Sequence, residues 1–131
     1  MMGIRMMLMV TLVAFLLSAC GAISKIGESS QPSPGEQNLS GGVKNYEDGD
    51  YKSSLDALQK ALEMGLSNKS DQVRAHKYLA FIHCVSAREK QCRDEFKKVL
   101  EIDPIFDLKP AEAGHPVWGP VFRSVKSKSA K

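Results

Sequence analysis

The chain has 131 residues, 43% of them hydrophobic and 25% charged, with three cysteines and a net charge of +3. Those figures describe one globular domain and exclude a chain too polar to fold. They also exclude a densely disulfide-stapled framework, and +3 is too small a charge to argue for a nucleic-acid partner.

The first twenty residues stand apart from any fold. Arg5 supplies a minimal positive region, and residues 6–17 form an apolar run of signal-sequence length. That run is shorter than the roughly 20 apolar residues that span a bilayer. It ends in Leu17, Ser18, Ala19, Cys20 and Gly21, which resembles the bacterial lipoprotein signal. In that signal a leucine and two small residues precede the cysteine whose thiol is diacylated before cleavage. Small residues let the extended backbone enter a signal peptidase, and a thiol is the soft nucleophile that forms the thioether. An ordinary secretory cleavage beside an incidental cysteine is the plainer alternative. The resemblance implies a signal peptide over residues 1–19, lipidation at Cys20 and no cofactor beyond that covalent lipid. Each buried methylene contributes about 0.8 kcal/mol, so two or more acyl chains hold a protein firmly on a membrane. Gly21 stands where an aspartate would resemble an inner-membrane retention signal, so outer-membrane residence facing the periplasm is the expectation. That compartment is oxidising.

Residues 20–42 read as a flexible linker. Serine, glycine and proline dominate, and Pro32 and Pro34 discourage a regular element. A short first helix is expected over residues 43–48, with Gly41 and Gly42 weakening its start. Residues 50–64 place Tyr51, Leu55, Leu58, Ala61 and Leu62 on one face of an amphipathic helix. Residues 65–71 are turn chemistry, with Ser70 the expected cap of the next helix. Residues 72–87 are apolar on two faces, Leu79, Ala80, His83 and Ala87 on one and Tyr78, Phe81, Ile82 and Val85 on the other, so this helix must be sandwiched. Residues 91–102 repeat the amphipathic design with Cys92, Phe96, Val99 and Leu100, and Pro104 cannot continue the helix.

Gly49, Asp50, Tyr51, Leu55, Leu58, Ala61, Leu62 and Glu63 resemble the centre and second helix of a tetratricopeptide repeat. Leu79 and Ala80, then Cys92, Phe96, Val99, Leu100, Glu101, Asp103 and Pro104, resemble a second copy with its closing Asp-Pro. Ser54 and Cys92 stand where alanine is usual, Val99 replaces another alanine, and Leu66 replaces the first proline. The offset between the copies exceeds the usual period of about 34 residues, and the excess falls in residues 65–71. The resemblance implies an all-α fold of about two tetratricopeptide-like hairpins over residues 43–125, with a C-terminal capping segment and a basic, frayed tail over 126–131.

Cys84 and Cys92 flank the short turn between two antiparallel helices, where they could form a disulfide or fill tight helix contacts as buried thiols. A metal site with His76 or His83 has no CxxC or HxxxH pair behind it, and none is expected. No nucleophile elbow or phosphate loop is present, so no catalytic residue is assigned and the chain reads as a non-enzyme. Asp94, Glu95 and Glu112 read as solvated helix faces.

After Asp103, Pro110 to Gly114 can form one helical turn with proline at its start and glycine at its end. Ile105, Phe106, Leu108, Trp118 and Phe122 read as a wrap over the open end of the second hairpin, and residues 120–125 as a short last helix. Trp118 and His115 are also candidates for direct partner contact. Residues Phe106 to Leu108, Pro110 to Pro116 and Trp118 to Phe122 resemble small lipoproteins associated with type VI secretion, the TssQ-like family. That resemblance implies an accessory protein-binding role in a cell-envelope secretion machine and transfers no catalytic residue. Groove-side candidates for the protein partner are Tyr46, His76, Tyr78 and His83. The alternative is an envelope-assembly or pilotin-like lipoprotein that escorts client subunits.

Overall fold

The computed structural model describes residues 31–131, which are helical and without strands. In chain order the helices are α1 (Pro34–Glu47), α2 (Tyr51–Met64), α3 (Lys69–Val85), α4 (Glu89–Ile102), α5 (Pro110–Ala113) and α6 (Trp118–Ser129). α1 pairs with α2 and α3 with α4 as hairpins, α3 packs on α2, and α6 lies mainly against α4. The expected signal peptide and Cys20 lie outside the described residues. None of the described helices is long and apolar enough to cross a membrane.

The largest departure from expectation is α1. Residues 34–42, expected to be linker, are helical and continuous with residues 43–47. Ser33 caps the helix: its Oγ accepts the Glu36 N–H at 3.2 Å, and the Glu36 carboxylate accepts the Ser33 N–H at 2.6 Å. That reciprocal box, with Pro34 at the first helical position, starts helices and does not break them. Gly35 and Gly42 are interior contact residues. A Cβ on Gly42 would sit 2.7 Å from the Leu58 Cγ, and one on Gly35 would meet the Gly65 carbonyl. The close approach lets the Ser54 hydroxyl donate to the Gly42 carbonyl at 2.6 Å, a fully buried bond worth about 1 kcal/mol. Ser54 therefore ties α1 to α2. Tyr51, expected in the α2 core, is 41% exposed.

α3 divides the interior. Ala75, Leu79 and Ile82 join Leu39, Val43, Leu58, Ala61 and Leu66 in one cluster. Ala80, Phe81 and Cys84 join Cys92, Phe96, Leu100, Leu108, Trp118, Phe122 and Val125 in the other. The sandwiched helix is as expected, with its two faces sorted differently: Leu79 and Ala80 part company, and Val85 and Ala87 are exposed. Asn68, not Ser70, caps α3, its Oδ1 accepting the Ser70 N–H at 3.0 Å. Ala87 turns the chain between α3 and α4 at φ +57°, a region costly for a residue with a Cβ.

Cys84 and Cys92 are joined in a disulfide with their Cα atoms 5.1 Å apart. Of the two arrangements open to them in sequence, this one cross-links α3 to α4 beside Phe81 and Phe96.

The C-terminal wrap covers the second cluster with Leu108, Trp118, Phe122 and, unforeseen, Val125. Ile105 takes no part in it and is 89% exposed. α6 starts at Trp118, before the expected Pro120, and runs through most of the supposedly frayed tail to Ser129. Lys126 fixes that end, its Nζ reaching the Asp107 carboxylate at 2.8 Å and the Phe106 carbonyl at 2.9 Å.

Candidate functional site

α1 and α3 lead their hairpins, and their shared face carries a row of rings. Tyr46 near the end of α1 meets Tyr78 edge-on at 4.9 Å, and Tyr51 at the start of α2 lies 5.5 Å from Tyr46. Tyr78 and Tyr46 both touch Phe81, at 5.9 and 6.2 Å. Phe81 stacks on Trp118 at 4.2 Å, and Trp118 carries His115 stacked flat on it at 3.3 Å. The row runs from exposed Tyr51 through half-buried Tyr46 and Tyr78 to the buried base formed by Phe81 and Trp118.

An ion pair lies beneath it. The Lys77 ammonium reaches the Glu112 carboxylate at 2.6 Å, with side chains 11% and 19% exposed. It also stands 4.9 Å from the Tyr78 ring centre and 5.6 Å from that of Phe81, within reach of a cation–π attraction. Glu112 also accepts the Lys109 N–H at 3.1 Å, and its carbonyl accepts the Trp118 indole N–H at 2.8 Å. The short helix α5 thus bolts the Trp118 cap to α3. The expectation that Glu112 is solvated is overturned, because it neutralises a buried lysine that would be costly alone. Sequence reading passed over Lys77, yet it interrupts the i, i+4 series Val73, Lys77, Phe81 on a helix buried on both sides. A cation in that register signals a carboxylate arriving from another element.

Burial drives the Tyr46 phenol up to about 12, with Tyr51, Tyr78 and Glu112 adding to the rise. Tyr78 is raised by the same burial. Both hydroxyls therefore stay neutral near physiological pH. A strip of amphipathic rings beside a masked cation suits peptide recognition, since aromatic faces supply contact area at low entropy cost.

Of the six expected partner-contact residues, the fold brings Tyr46, Tyr78, His115 and Trp118 to this row. Trp118, 8% exposed, serves as the cap. His76 and His83 do not join it. His76 lies in a shallow groove with Gln59, Leu62 and Leu79, and its Nδ1 pairs with the Glu95 carboxylate at 2.5 Å. His83 is buried, its Nδ1 accepting from the Arg88 Nε at 2.9 Å. Residues two positions apart on a helix differ by about 200°, so His76 and Tyr78 face opposite neighbours. Glu95, like Glu112, proves to be a paired, largely covered carboxylate, also bonded to Lys98 at 2.9 Å. Among the described residues no three His, Cys, Asp or Glu side chains converge as metal ligands.

Two of these groups contribute to the acid sensitivity. Burial opposes ionisation of Glu95, but hydrogen bonds from His76 and Lys98 outweigh it and hold its carboxyl below the ordinary 4.5. Burial, then the Arg88 charge, holds His83 below its ordinary 6.5. In both cases the unfolded chain binds the proton first, so stability falls as pH falls. The His83 contribution, full above pH 6.5, starts to drop below it; that of Glu95 starts to drop below 4.5. Urea midpoints should decline between pH 7.5 and 5.5 and again towards pH 4, and His83→Gln should flatten the upper limb. A midpoint unchanged across the upper interval would refute this assignment.

Set against protein-family models, characterised proteins and solved structures, the chain matches none of them.

Proposed function

We propose that this chain is a lipid-anchored adaptor of the bacterial outer membrane, facing the periplasm, that holds a protein partner on the tyrosine row of its helical domain. The helix order, two hairpins followed by the one-turn α5 and the capping helix α6, supports reading the domain as tetratricopeptide-like, with α1 and α3 as the groove-lining first helices and α6 as the cap. The observation that carries the proposal is the clustering of Tyr46 on α1, Tyr51 at the start of α2 and Tyr78 on α3, partly exposed and set over the Lys77–Glu112 pair. The Cys84–Cys92 disulfide supports an oxidising compartment, and the lipobox at Cys20 supports the anchor. The C-terminal resemblance to type VI secretion lipoproteins supports an accessory place in that machine. Stacked hairpins hold extended or helical segments of partners by such faces, so the mechanism is tethering.

The anchor is tested by Cys20→Ala in a bacterial host. The wild-type protein should incorporate radiolabelled palmitate and sediment with outer membranes, whereas the variant should incorporate none and lose at least about tenfold of its membrane-bound fraction. The adaptor role is tested by crosslinking in intact cells with wild type and the Tyr46→Ala/Tyr78→Ala variant. One stoichiometric secretion-apparatus subunit, lost from the double variant, is the expected result. Pilin or barrel precursors caught in transit would favour the escort alternative instead.

A further inference from the structure

The exposed end of the tyrosine row lies at the α1–α2 turn, and its charge is one-sided. Residues 44–56 carry the carboxylates of Glu47, Asp48, Asp50 and Asp56 against the ammoniums of Lys44 and Lys52. Both ammoniums are engaged, Lys44 with Asp48 at 2.6 Å and Lys52 with Asp56 at 3.2 Å. Glu47 is exposed and has no ion pair among the described residues. Asp50, also exposed, caps α2, its Oδ1 accepting the Ser53 N–H at 3.0 Å. The remaining cations near the row are directed elsewhere. Arg74 stands one turn before Tyr78, towards the α2–α3 turn and away from Tyr51. Lys77 is matched by Glu112, and Arg88 is turned to His83.

The inner part of the row shows what such groups accept. The Lys77 ammonium sits against the rings of Tyr78 and Phe81 and on the Glu112 carboxylate, a cation set between aromatic rings and an acid. At the α1–α2 turn the same two ingredients reach solvent. Tyr51 is 41% exposed and packs on Tyr46, with Glu47 and Asp50 next to these two rings in the chain. A ring attracts a cation through its quadrupole, and a guanidinium, planar and weakly hydrated, both stacks on a ring and bonds a carboxylate. An acidic peptide, a nucleic acid or an anionic lipid headgroup would be repelled here. We infer that the Tyr51 end of the row seats an arginine of the partner protein, its guanidinium on Tyr51 and Tyr46 and its charge met by Glu47 and Asp50. This rests on reading the row as the partner's seat, and it adds the chemistry by which the partner is chosen.

Tyr46, Tyr51 and Tyr78 are the three tyrosines of the chain, so isotope-labelled tyrosine reads the row directly by NMR. The probes are two short blocked peptides of glycine and serine, one with a central pair of arginines and one with a central pair of glutamates. Each is titrated into the full chain in micelles of an uncharged detergent. The arginine peptide should shift the ring signals of Tyr51 and Tyr46 saturably, and less so as salt is added. The glutamate peptide should leave them in place. Glu47→Lys/Asp50→Asn keeps a capping side chain on α2 and puts a lysine in the last turn of α1, so its thermal melt should not fall below that of wild type. It should bind the arginine peptide at least about fivefold more weakly. No saturable shift up to about 10 mM, equal shifts from both peptides, or an unchanged affinity in the variant would each overturn the inference. Crosslinking the charge variant in cells separates the inference from the reading beneath it. A partner lost from Tyr46→Ala/Tyr78→Ala but fully held by the charge variant overturns the arginine seat alone. A partner held by both overturns the adaptor reading as well.

Discussion

Replacing Phe81 with alanine is expected to cost about 3–5 kcal/mol of unfolding free energy, the range for removing a buried aromatic ring. Phe81 is 2% exposed and contacts more rings than any other described residue: Tyr46, Tyr78, Phe96 and Trp118. Those partners come from α1, α3, α4 and α6, so the cavity would open where four elements meet and no single element could relax to fill it. A domain of this size has about 5–15 kcal/mol in all, so the loss is a large share of its stability. Urea unfolding followed by circular dichroism measures it. Phe81→Leu should lose less, because leucine refills part of the space, and Val85→Ala, at an exposed site, should stay within about 0.5 kcal/mol. A Phe81→Ala loss no larger than that of Val85→Ala would show that the cap does not rest on this ring. The variant should also loosen the cap, because Trp118 loses the surface it stacks on; a red shift of tryptophan emission before global unfolding would report it.

Removing the disulfide is the second large effect. Cys84 and Cys92 are eight positions apart, and closing so short a loop restricts the unfolded chain by about 2.5 kcal/mol on the chain-entropy account. The Cys84→Ala/Cys92→Ala variant tests this without leaving a lone thiol. It should lose about 2–3 kcal/mol, with amide exchange rising first in the turn through Ala87, whose positive φ the cross-link helps to hold. Both sulfurs are buried, so the native protein should resist dithiothreitol until it unfolds. Free thiols titrating in the folded protein under non-reducing conditions would contradict the bond, as would a double variant as stable as wild type.

The Cys84–Cys92 pair also shows where reading the sequence stops. Spacing placed two small sulfur side chains across a turn, but a bond and a dry helix contact need the same spacing. Only the distance between backbones, fixed by how α3 and α4 cross, separates them. The polar groups show the same limit. Read from their own helices, His76, His83, Glu95 and Glu112 show no partner, because those partners come from helices elsewhere in the chain or, for His83, from beyond the following turn. Burial of a charge is a property of two elements together, and no window of one chain segment contains it. The α1 error is of a different kind, since Ser33, Pro34 and Glu36 carry a local start signal. Its glycines and prolines read as linker composition because the benefit of Gly35 and Gly42 appears only when α2 lies against them.

By itself the sequence determined that the described domain is helical, where α2, α3 and α4 run, and that α3 is buried on both sides. These follow from the spacing of apolar side chains, which a helix converts directly into a face. It also determined that Leu108, Trp118 and Phe122 close the end of the stack, because two hairpins leave an apolar surface that something must cover. Only the tertiary structure decided that Tyr46 and Tyr78 share a face from which His76 and His83 turn away. It likewise decided that Lys77 and Glu112 meet beneath that face and that Ile105 stands outside the cap. The reason is that helical periodicity fixes angles within one helix, whereas the rotation of each helix about its axis is set by close approaches such as Gly42 to Leu58, which depend on every neighbour at once.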